Sequence, residues 1–238
     1  MLPALIGLAA AGAAGAAGYQ SMAPTGQWFG RTFFAGTPGS KQLALTFDDG
    51  PNDPHTLKLL EVLAKHDVRA TFFMIGRYVR ERPAIARAVA AGGHVVGNHT
   101  FTHPRLIFQS EAQTRAELTN CRQALHDAIG AHSNLFRPPF GGRRPATLRI
   151  ARELGLETVM WNVSGHDWDA ASASVIEAKL ARRIREGGGD IILLHDGGHK
   201  AMGADRAQTV IATANLIGRY KEQGYEFVTV PQMMKVSG

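Results

Sequence analysis

The sequence predicts an α/β barrel built as a single domain. Short apolar runs alternate with stretches of helical periodicity from residue 41 onward. A length of 238 residues is typical of one such barrel, and no internal repeat or second domain is visible. Strands that alternate with helices pair in parallel through right-handed crossovers. We therefore expect one irregular barrel of about seven strands, one for each apolar run.

The N-terminal part of the chain predicts two segments that precede this barrel. Residues 2–18, LPALIGLAAAGAAGAAG, carry no charged side chain. A run this short and apolar is expected to be a signal peptide or a weak membrane anchor, or failing either a flexible leader. Gly and Pro interrupt residues 19–40 and predict an irregular linker. The predicted organisation is thus a leader over 1–18, a linker over 19–40 and a domain over 41–238.

Within the domain, each strand and helix is predicted from the spacing of apolar residues. Pro83 opens one helix and Gly92–Gly93 close it, and Ser110 is a predicted N-cap. The predicted strands are KQLALTF, RATFFMI, HVVGN, NLFRPP, ETVMWNV, DIILLHD and YEFVTV. The predicted helices are HTLKLLEVLAKH, PAIARAVAAGG, Ser110–Ile129, Pro145–Leu154, SVIEAKLARRIREGGG and AQTVIATANLIGRYKEQG.

Composition limits the classes of partner. The formal net charge is +6 and the sequence pI is about 9.8, which favours anionic surroundings. Much of the excess is scattered arginine, so nucleic-acid binding is not expected. The single cysteine, Cys121, lies in a predicted helix, where a small packed residue is expected and no internal disulfide can form.

Polar residues with useful chemistry follow the predicted strands at their C-terminal ends. Active sites of α/β barrels gather at that rim. We therefore expect these residues to lie on one face. They are Asp48, Asp49, Asn98, His99, Arg137, Asn162, Ser164 to Trp168, His195 and Asp196.

His99 and His103 lie four residues apart, a spacing that would place both imidazoles on one side of a helical turn. The pair alone is weak evidence, since ordinary surface or core histidines share this spacing. With a carboxylate from another strand end, the set becomes two nitrogens and one oxygen, as in catalytic zinc sites. Such a metal lowers the pKa of bound water to about 7.

The adjacent carboxylates of Asp48 and Asp49 suggest a division of roles. Neighbouring residues on a strand point in different directions, so one carboxylate could bind metal while the other accepts a proton. Arg137 is a candidate for holding the proton-accepting carboxylate. His195 is a candidate proton donor to a leaving amine, and Asp167 could orient it and raise its pKa.

Five short motifs appear in order: TFDDG, HTFTH, RPPFG, SGHDW and LLH. Together they resemble the polysaccharide deacetylase family, the NodB-homology domains of carbohydrate esterase family 4. The resemblance extends from Gln42 to about Val230. It implies a distorted (β/α)7 barrel. It also implies metal-dependent hydrolysis of N-acetyl groups on the amino sugars of a polysaccharide or oligosaccharide, with release of acetate.

The resemblance also assigns roles to individual residues. It implies Asp48 as catalytic base held by Arg137, and His195 as general acid with Asp167 behind it. It implies one divalent ion, Zn²⁺ first and Co²⁺ or Ni²⁺ as alternatives. The implied metal ligands are Asp49, His99 and His103, and the implied substrate-binding residues are Pro139, Phe140, Trp168 and Leu193, with the Phe140 N–H as oxyanion donor.

Two positions depart from the family pattern. Phe140 stands where Tyr is common, which removes a hydroxyl but leaves the backbone role. Ser164 stands where the fourth motif often begins with Asp. Because the second Asp and the Trp of that motif are present, activity is expected, with an altered substrate preference. The other histidines are expected to be structural or solvated, with His166 on the rim: His55, His66, His126, His132 and His199.

The expected partner is an N-acetylated polysaccharide or oligosaccharide, without nucleic acid. Membrane association through residues 2–18, a monomeric state and a cell-envelope or secreted location are further expectations. Two alternatives stay open at this point. One is an O-acetyl esterase or deformylase acting on acetylated xylan or a lipid-linked sugar, and the other is a non-catalytic carbohydrate-binding module of the envelope.

Overall fold

The computed structural model describes residues 15–131 and 133–237. Its described part contains one curled parallel sheet of eight strands in the order β5-β4-β3-β2-β1-β7-β6, with β8 paired to β1. The strands are β1 (Gln42–Gly50), β2 (Thr71–Met74), β3 (Val95–Asn98), β4 (Leu135–Phe136), β5 (Glu157–Thr158), β6 (Val163–Ser164), β7 (Asp190–His195) and β8 (Glu226–Phe227).

Helices cover the outer face of this sheet. In the longest of them, Ser110 and Gln113 form a reciprocal capping box, and Gly130 ends the helix in the left-handed conformation. The helices are α1 (His55–Lys65), α2 (Gly76–Glu81), α3 (Pro83–Ala91), α4 (Glu111–Ile129), α5 (Pro145–Glu153), α6 (Ala173–Ala181), α7 (Ala207–Glu222) and α8 (Val230–Val236). Residues 15–22 are also helical.

Strand β1 lies at the centre of the sheet and is buried along almost its whole length. Its side chains alternate between two environments, as the period of a strand requires. Leu43, Leu45 and Phe47 pack outward against the helices in the main core. Ala44 points to the smaller core inside the barrel, where α8 packs. The same alternation directs Thr46 and Asp48 into the barrel.

The barrel is irregular on the side of β5 and β6. The stretch predicted as one strand, ETVMWNV, is divided, with β5 on one edge of the sheet and β6 on the other. The Asn162 side chain accepts from the Ile191 N–H at 2.9 Å and donates to Asp190 at 2.6 Å. These side-chain bonds replace ladder hydrogen bonds where the strand is interrupted.

The segment over 19–40 contributes to this irregular side. Phe33 forms a parallel bridge with Val159, and Ala35 forms an antiparallel bridge with Asp190. The Phe33 N–H donates to Thr158 and its carbonyl accepts from Met160. Residues 33–35 thus lie between β5 and β7, beside the gap in the sheet.

The predicted α/β barrel is confirmed, with differences at its short elements. Helices α2 and α8 were not predicted, and α6 ends at Ala181 instead of continuing to the glycines at 187–189. Much of the proposed leader, residues 1–14, and His132 lie outside the described residues. Over 15–131 and 133–237, none of the helices is both long and apolar enough to cross a membrane.

The ends of β1 and β7 are held together closely. Asp48 is paired with His195 in the ladder, and the Asp48 carbonyl accepts from the Asp196 N–H at 3.1 Å. Gly197 then passes against the β1 backbone. A Cβ built on Gly197 would lie 2.1 Å from the Asp49 carbonyl oxygen, a distance that requires the backbone to move.

We predict that Gly197→Ala destabilises the protein by about 1–3 kcal/mol, as overpacking of a dense site does. Gly218→Ala is the control, because its Cβ would meet nothing within 4 Å in the middle of α7. That control should be neutral or stabilising by up to about 1 kcal/mol. Urea unfolding of both variants measures the difference. Equal stability of the two variants would contradict the close contact described above.

Candidate active site

The C-terminal end of β1 presents two neighbouring carboxylates to the same space. Strand alternation alone would send Asp48 and Asp49 to opposite sides. The pairing of β1 with β2 shifts at this point, so that Asp49 is an extra residue between Asp48 and Gly50. Asp49 has a φ of 72°. A bulge of this kind re-aims a side chain, and both carboxylates are buried at the site.

Arg137, which follows β4, is fully buried inside the barrel. One guanidinium nitrogen donates to Asp48 Oδ1 and to Thr46 Oγ1, both at 2.8 Å. The others donate to the carbonyls of Val159 at 3.3 Å and Met160 at 2.9 Å. Burial lowers the pKa of Arg137, while the charge of Asp48 opposes that shift. The structure therefore places Arg137 on Asp48, as predicted.

The two histidines of HTFTH come together through a loop. Residues 99–103 are not helical, and Thr100 and His103 have φ values of 66° and 63°. The Asn98 side chain accepts from the Thr100 N–H at 2.9 Å, and Thr100 Oγ1 accepts from the His103 N–H at 3.1 Å. Glu117 of α4 accepts from the two N–H groups between the histidines. The prediction of a helical turn at His99 and His103 is therefore wrong. Side-chain hydrogen bonds hold this loop in place of the backbone hydrogen bonds of a helix.

Asp49, His99 and His103 form a buried cluster whose ligand atoms lie within 4.8 Å of one another. Asp49 Oδ1 lies 3.5 Å from His99 Nε2 and 3.1 Å from His103 Nε2, and no hydrogen bond reaches it within the described residues. The His99 Nδ1–H donates to the Arg137 carbonyl at 2.8 Å. That bond leaves the Nε2 lone pair of His99 free to bind a metal. A buried oxygen without a partner and two converging nitrogens fit a divalent cation.

The protonation of this cluster suits a cation as well. Burial would raise the pKa of Asp49, but its interactions with His103, His199 and His99 outweigh burial and hold that pKa well below the ordinary value. Burial lowers the pKa of His103 to about 4, against the opposing effect of Asp49. At neutral pH the cluster is therefore one carboxylate with a neutral His103 imidazole.

His195, which is partly exposed to the cavity, and the buried Asp167 form the second charge pair of the site. Asp167 Oδ1 accepts from His195 Nδ1 at 2.9 Å, and Oδ2 accepts from the His195 N–H at 2.8 Å and from Thr209 at 2.9 Å. Burial by itself would lower the pKa of His195. The charge and hydrogen bond of Asp167, assisted by Asp49 and Asp48, raise it instead to about 9. The His195 imidazole thus holds a proton at neutral pH.

These groups face one cavity of about 700 Å³. Of the substrate-binding residues that the resemblance implies, Phe140, Trp168 and Leu193 line this cavity, whereas Pro139 is buried and does not line it. Trp168 stands edge-on to His195, with ring centres 5.1 Å apart. Phe140 has a φ of 57°, and its N–H donates no hydrogen bond to any described residue. That N–H is available to a bound oxygen.

The loop after β7, residues 198–206, forms a wall of the cavity that sequence reasoning did not identify. His199, expected to be structural or solvated, stacks on His103 at 4.8 Å between ring centres and touches the Phe140 ring. Its Nδ1 lies 3.8 Å from Asp49 Oδ2. The one signal for this loop in the sequence is its position directly after the LLH motif at a strand end.

A family model described as polysaccharide deacetylase matches residues 35–159. The Bacillus cereus peptidoglycan-N-acetylglucosamine deacetylase is 35% identical over 197 residues, covering 82% of this chain and 89% of that protein. The chitooligosaccharide deacetylase of a Bradyrhizobium species is 36% identical over 210 residues, covering 85% and 95%. A solved peptidoglycan N-acetylglucosamine deacetylase, in complex with 4-naphthalen-1-yl-N-oxidanyl-benzamide, superposes with a TM-score of 0.79 at 33% identity, covering 85% and 92%.

An α/β barrel in which a histidine–aspartate pair faces a buried carboxylate–imidazole cluster is compatible with a hydrolase. The matches narrow this class further. The chain belongs to the polysaccharide deacetylase family, the NodB-homology enzymes of carbohydrate esterase family 4. It is a carbohydrate deacetylase. The resemblance drawn from the five motifs is thereby confirmed.

The raised pKa of His195 gives a direct test of this site. In the metal-free protein the imidazole should titrate near pH 9, and Asp167→Asn should lower that pKa because it removes the charge that favours imidazolium. Histidine NMR titration measures both values. Thr213→Val, a change on the same helix as Thr209, is the control and should leave the His195 titration near 9. A wild-type value below about 6.5, the ordinary pKa of histidine, would contradict the described pairing.

Proposed function

We propose that this deacetylase is metal-dependent and acts on an N-acetylated glycan of the cell envelope. The observation that carries the proposal is the convergence of Asp49, His99 and His103 beside the Asp48–Arg137 pair, in the cavity that His195 also lines. Zn²⁺ is the proposed ion, since two imidazoles and one carboxylate leave positions open for water and substrate. The names of the relatives support peptidoglycan or chitooligosaccharides as substrates and therefore an envelope or extracellular place of action.

In the proposed reaction, Asp48 is the base. Its Oδ1 is held by Arg137 while Oδ2 faces the cluster, 3.7 Å from His99 Nε2. Asp48 takes one proton from the attacking water as the water oxygen bonds to the acetyl carbon. The cation held by Asp49, His99 and His103, when bound, supplies Lewis-acid activation of that water and of the carbonyl.

The remaining steps use Phe140 and His195, which line the same cavity. The Phe140 N–H donates to the oxygen that becomes negative in the tetrahedral intermediate. His195, protonated through Asp167, donates a proton to the sugar nitrogen as the C–N bond breaks. The products are acetate and a free amine. Trp168 and Leu193 line the space beside His195 and are proposed to hold the acetyl group and sugar.

Removing the proton-transfer groups should abolish turnover without unfolding the protein. We expect Asp48→Asn and His195→Ala to lower kcat by about 10²–10⁴, the range of general acid–base catalysis. Acetate release from N-acetylated chitooligosaccharides and peptidoglycan measures this, with acetylxylan testing O-acetyl esters. His66→Ala, outside the cavity, is the matched control. Near-wild-type turnover by both variants, with unchanged circular dichroism, would overturn the assigned roles.

The cation itself can be measured apart from activity. Elemental analysis should find about one divalent ion per chain after reconstitution, and a chelator should remove it. His103→Gln should weaken Zn²⁺ affinity beyond the roughly 10–100-fold effect typical of outer-sphere changes, because it deletes a ligand. Competition with a chromophoric chelator gives the Kd. Equal affinity in His103→Gln and wild type would reject the cluster as the binding site.

A further inference from the structure

Two cations at the mouth of the cavity have no carboxylate partner among the described residues. The Arg105 guanidinium lies over the Phe140 ring, 4.3 Å from its centre, and is exposed to solvent. Lys200 lines the cavity and is also exposed. Elsewhere on the surface, Arg149 contacts Glu111 at 2.6 Å and Glu153 at 2.9 Å, whereas Arg87 forms no ion pair with a described residue. Two cations without a carboxylate partner among the described residues thus lie beside the cavity.

Arg105 and Lys200 are each next to one ring of a contacting pair, Phe140 and His199. Phe140, beneath Arg105, stands edge-on to His199 at 5.0 Å between ring centres, and Lys200 follows His199 in sequence. Backbone contacts fix this part of the loop. Arg77 of α2 donates to the His199 carbonyl at 2.6 Å, and the Tyr78 hydroxyl donates to the Gly198 carbonyl at 3.1 Å. The loop therefore presents Lys200 from an anchored backbone.

A third cation, Arg206, lines the same wall. Its Nε donates to the Gly197 carbonyl at 2.8 Å, and it forms no ion pair within the described chain. The nearby carboxylates do not form ion pairs with these three cations at the mouth of the cavity. Asp205 is exposed and contacts His55 at 3.4 Å, outside the cavity lining, and Asp169 contacts Lys179 at 3.9 Å. Asp48 and Asp49 are buried at the cavity floor.

Resting on the proposed function, we propose that Arg105 and Lys200 select a glycan that carries a carboxylate next to the reacting amino sugar. A carboxylate accepts charge-assisted hydrogen bonds from both guanidinium and ammonium groups. Peptidoglycan strands carry such groups, either the free lactyl carboxylate of the neighbouring muramic residue or the carboxylates of an attached peptide. Chitooligosaccharides carry none. The structure thus favours the anionic of the two substrate classes named for its relatives.

The experiment compares kcat/KM on three substrates of equal sugar number. They are peptidoglycan oligosaccharides with peptides, the same oligosaccharides with peptides removed, and chitooligosaccharides. Exposed pairs contribute up to about 1 kcal/mol, so Arg105→Gln and Lys200→Gln should each lower the anionic-to-neutral ratio of kcat/KM about threefold to fivefold. Raising the salt concentration should lower the ratio in wild type and less in the double variant.

Matched controls are Arg87→Gln on α3 and Lys65→Gln in the last turn of α1. Both residues are exposed and neither lines the cavity, so their ratios should equal that of wild type. A loss confined to substrates with peptides places the carboxylate on the peptide, and a loss on peptide-free strands places it on the lactyl group. Unchanged ratios for Arg105→Gln and Lys200→Gln overturn this inference alone. Absence of acetate from all three substrates would instead overturn the proposed function.

Discussion

The buried ion pair between Arg137 and Asp48 is the interaction on which the rest of the site depends. Two charges inside a barrel are costly to desolvate, and removing one partner from such a pair costs about 3–5 kcal/mol. Arg137 is satisfied only because Thr46, Val159 and Met160 accept its remaining hydrogen bonds. One side chain thus connects β1, the end of β4 and the segment after β5. The backbone carbonyl of Arg137 also accepts a hydrogen bond from His99. Arg137 therefore positions both Asp48 and a histidine of the Asp49–His99–His103 cluster.

A second constraint is the unusual backbone around this pair. Asp49, Thr100, His103, Phe140 and His166 all have positive φ and all belong to the site motifs. Non-glycine residues in this region cost on the order of 1–3 kcal/mol each. The conformations persist because buried contacts fix them, such as the Asn98 and Thr100 side-chain bonds to the loop of the histidines. The site is therefore organised before substrate arrives.

The sequence predicts which residues belong to the site better than it predicts the backbone conformation that brings them together. Asp48, Arg137 and His195 were found because the C-terminal ends of parallel strands share one rim, which makes position along the chain informative. The bulge at Asp49 and the loop of His99 and His103 were not predicted, because strand and helix periods describe regular backbone only. The division of ETVMWNV depends on Asn162 meeting Asp190, a contact between residues distant in sequence. The wall at 198–206 has no periodic signal at all.

The distribution of charge across the cavity explains how a substrate would be oriented. Asp48 and Asp49 lie at the floor together with Arg137 and His195, and cations without a carboxylate partner lie at the mouth. In the proposed binding mode the neutral acetamido group lies at the floor, and a carboxylate on the same glycan contacts Arg105 and Lys200 at the mouth. Part of the excess of positive charge in the composition, which by itself indicates only a preference for anionic surroundings, thus lies next to the reacting groups. A glycan with its negative charge held at the mouth would present the acetyl group inward, between Asp48 and His195.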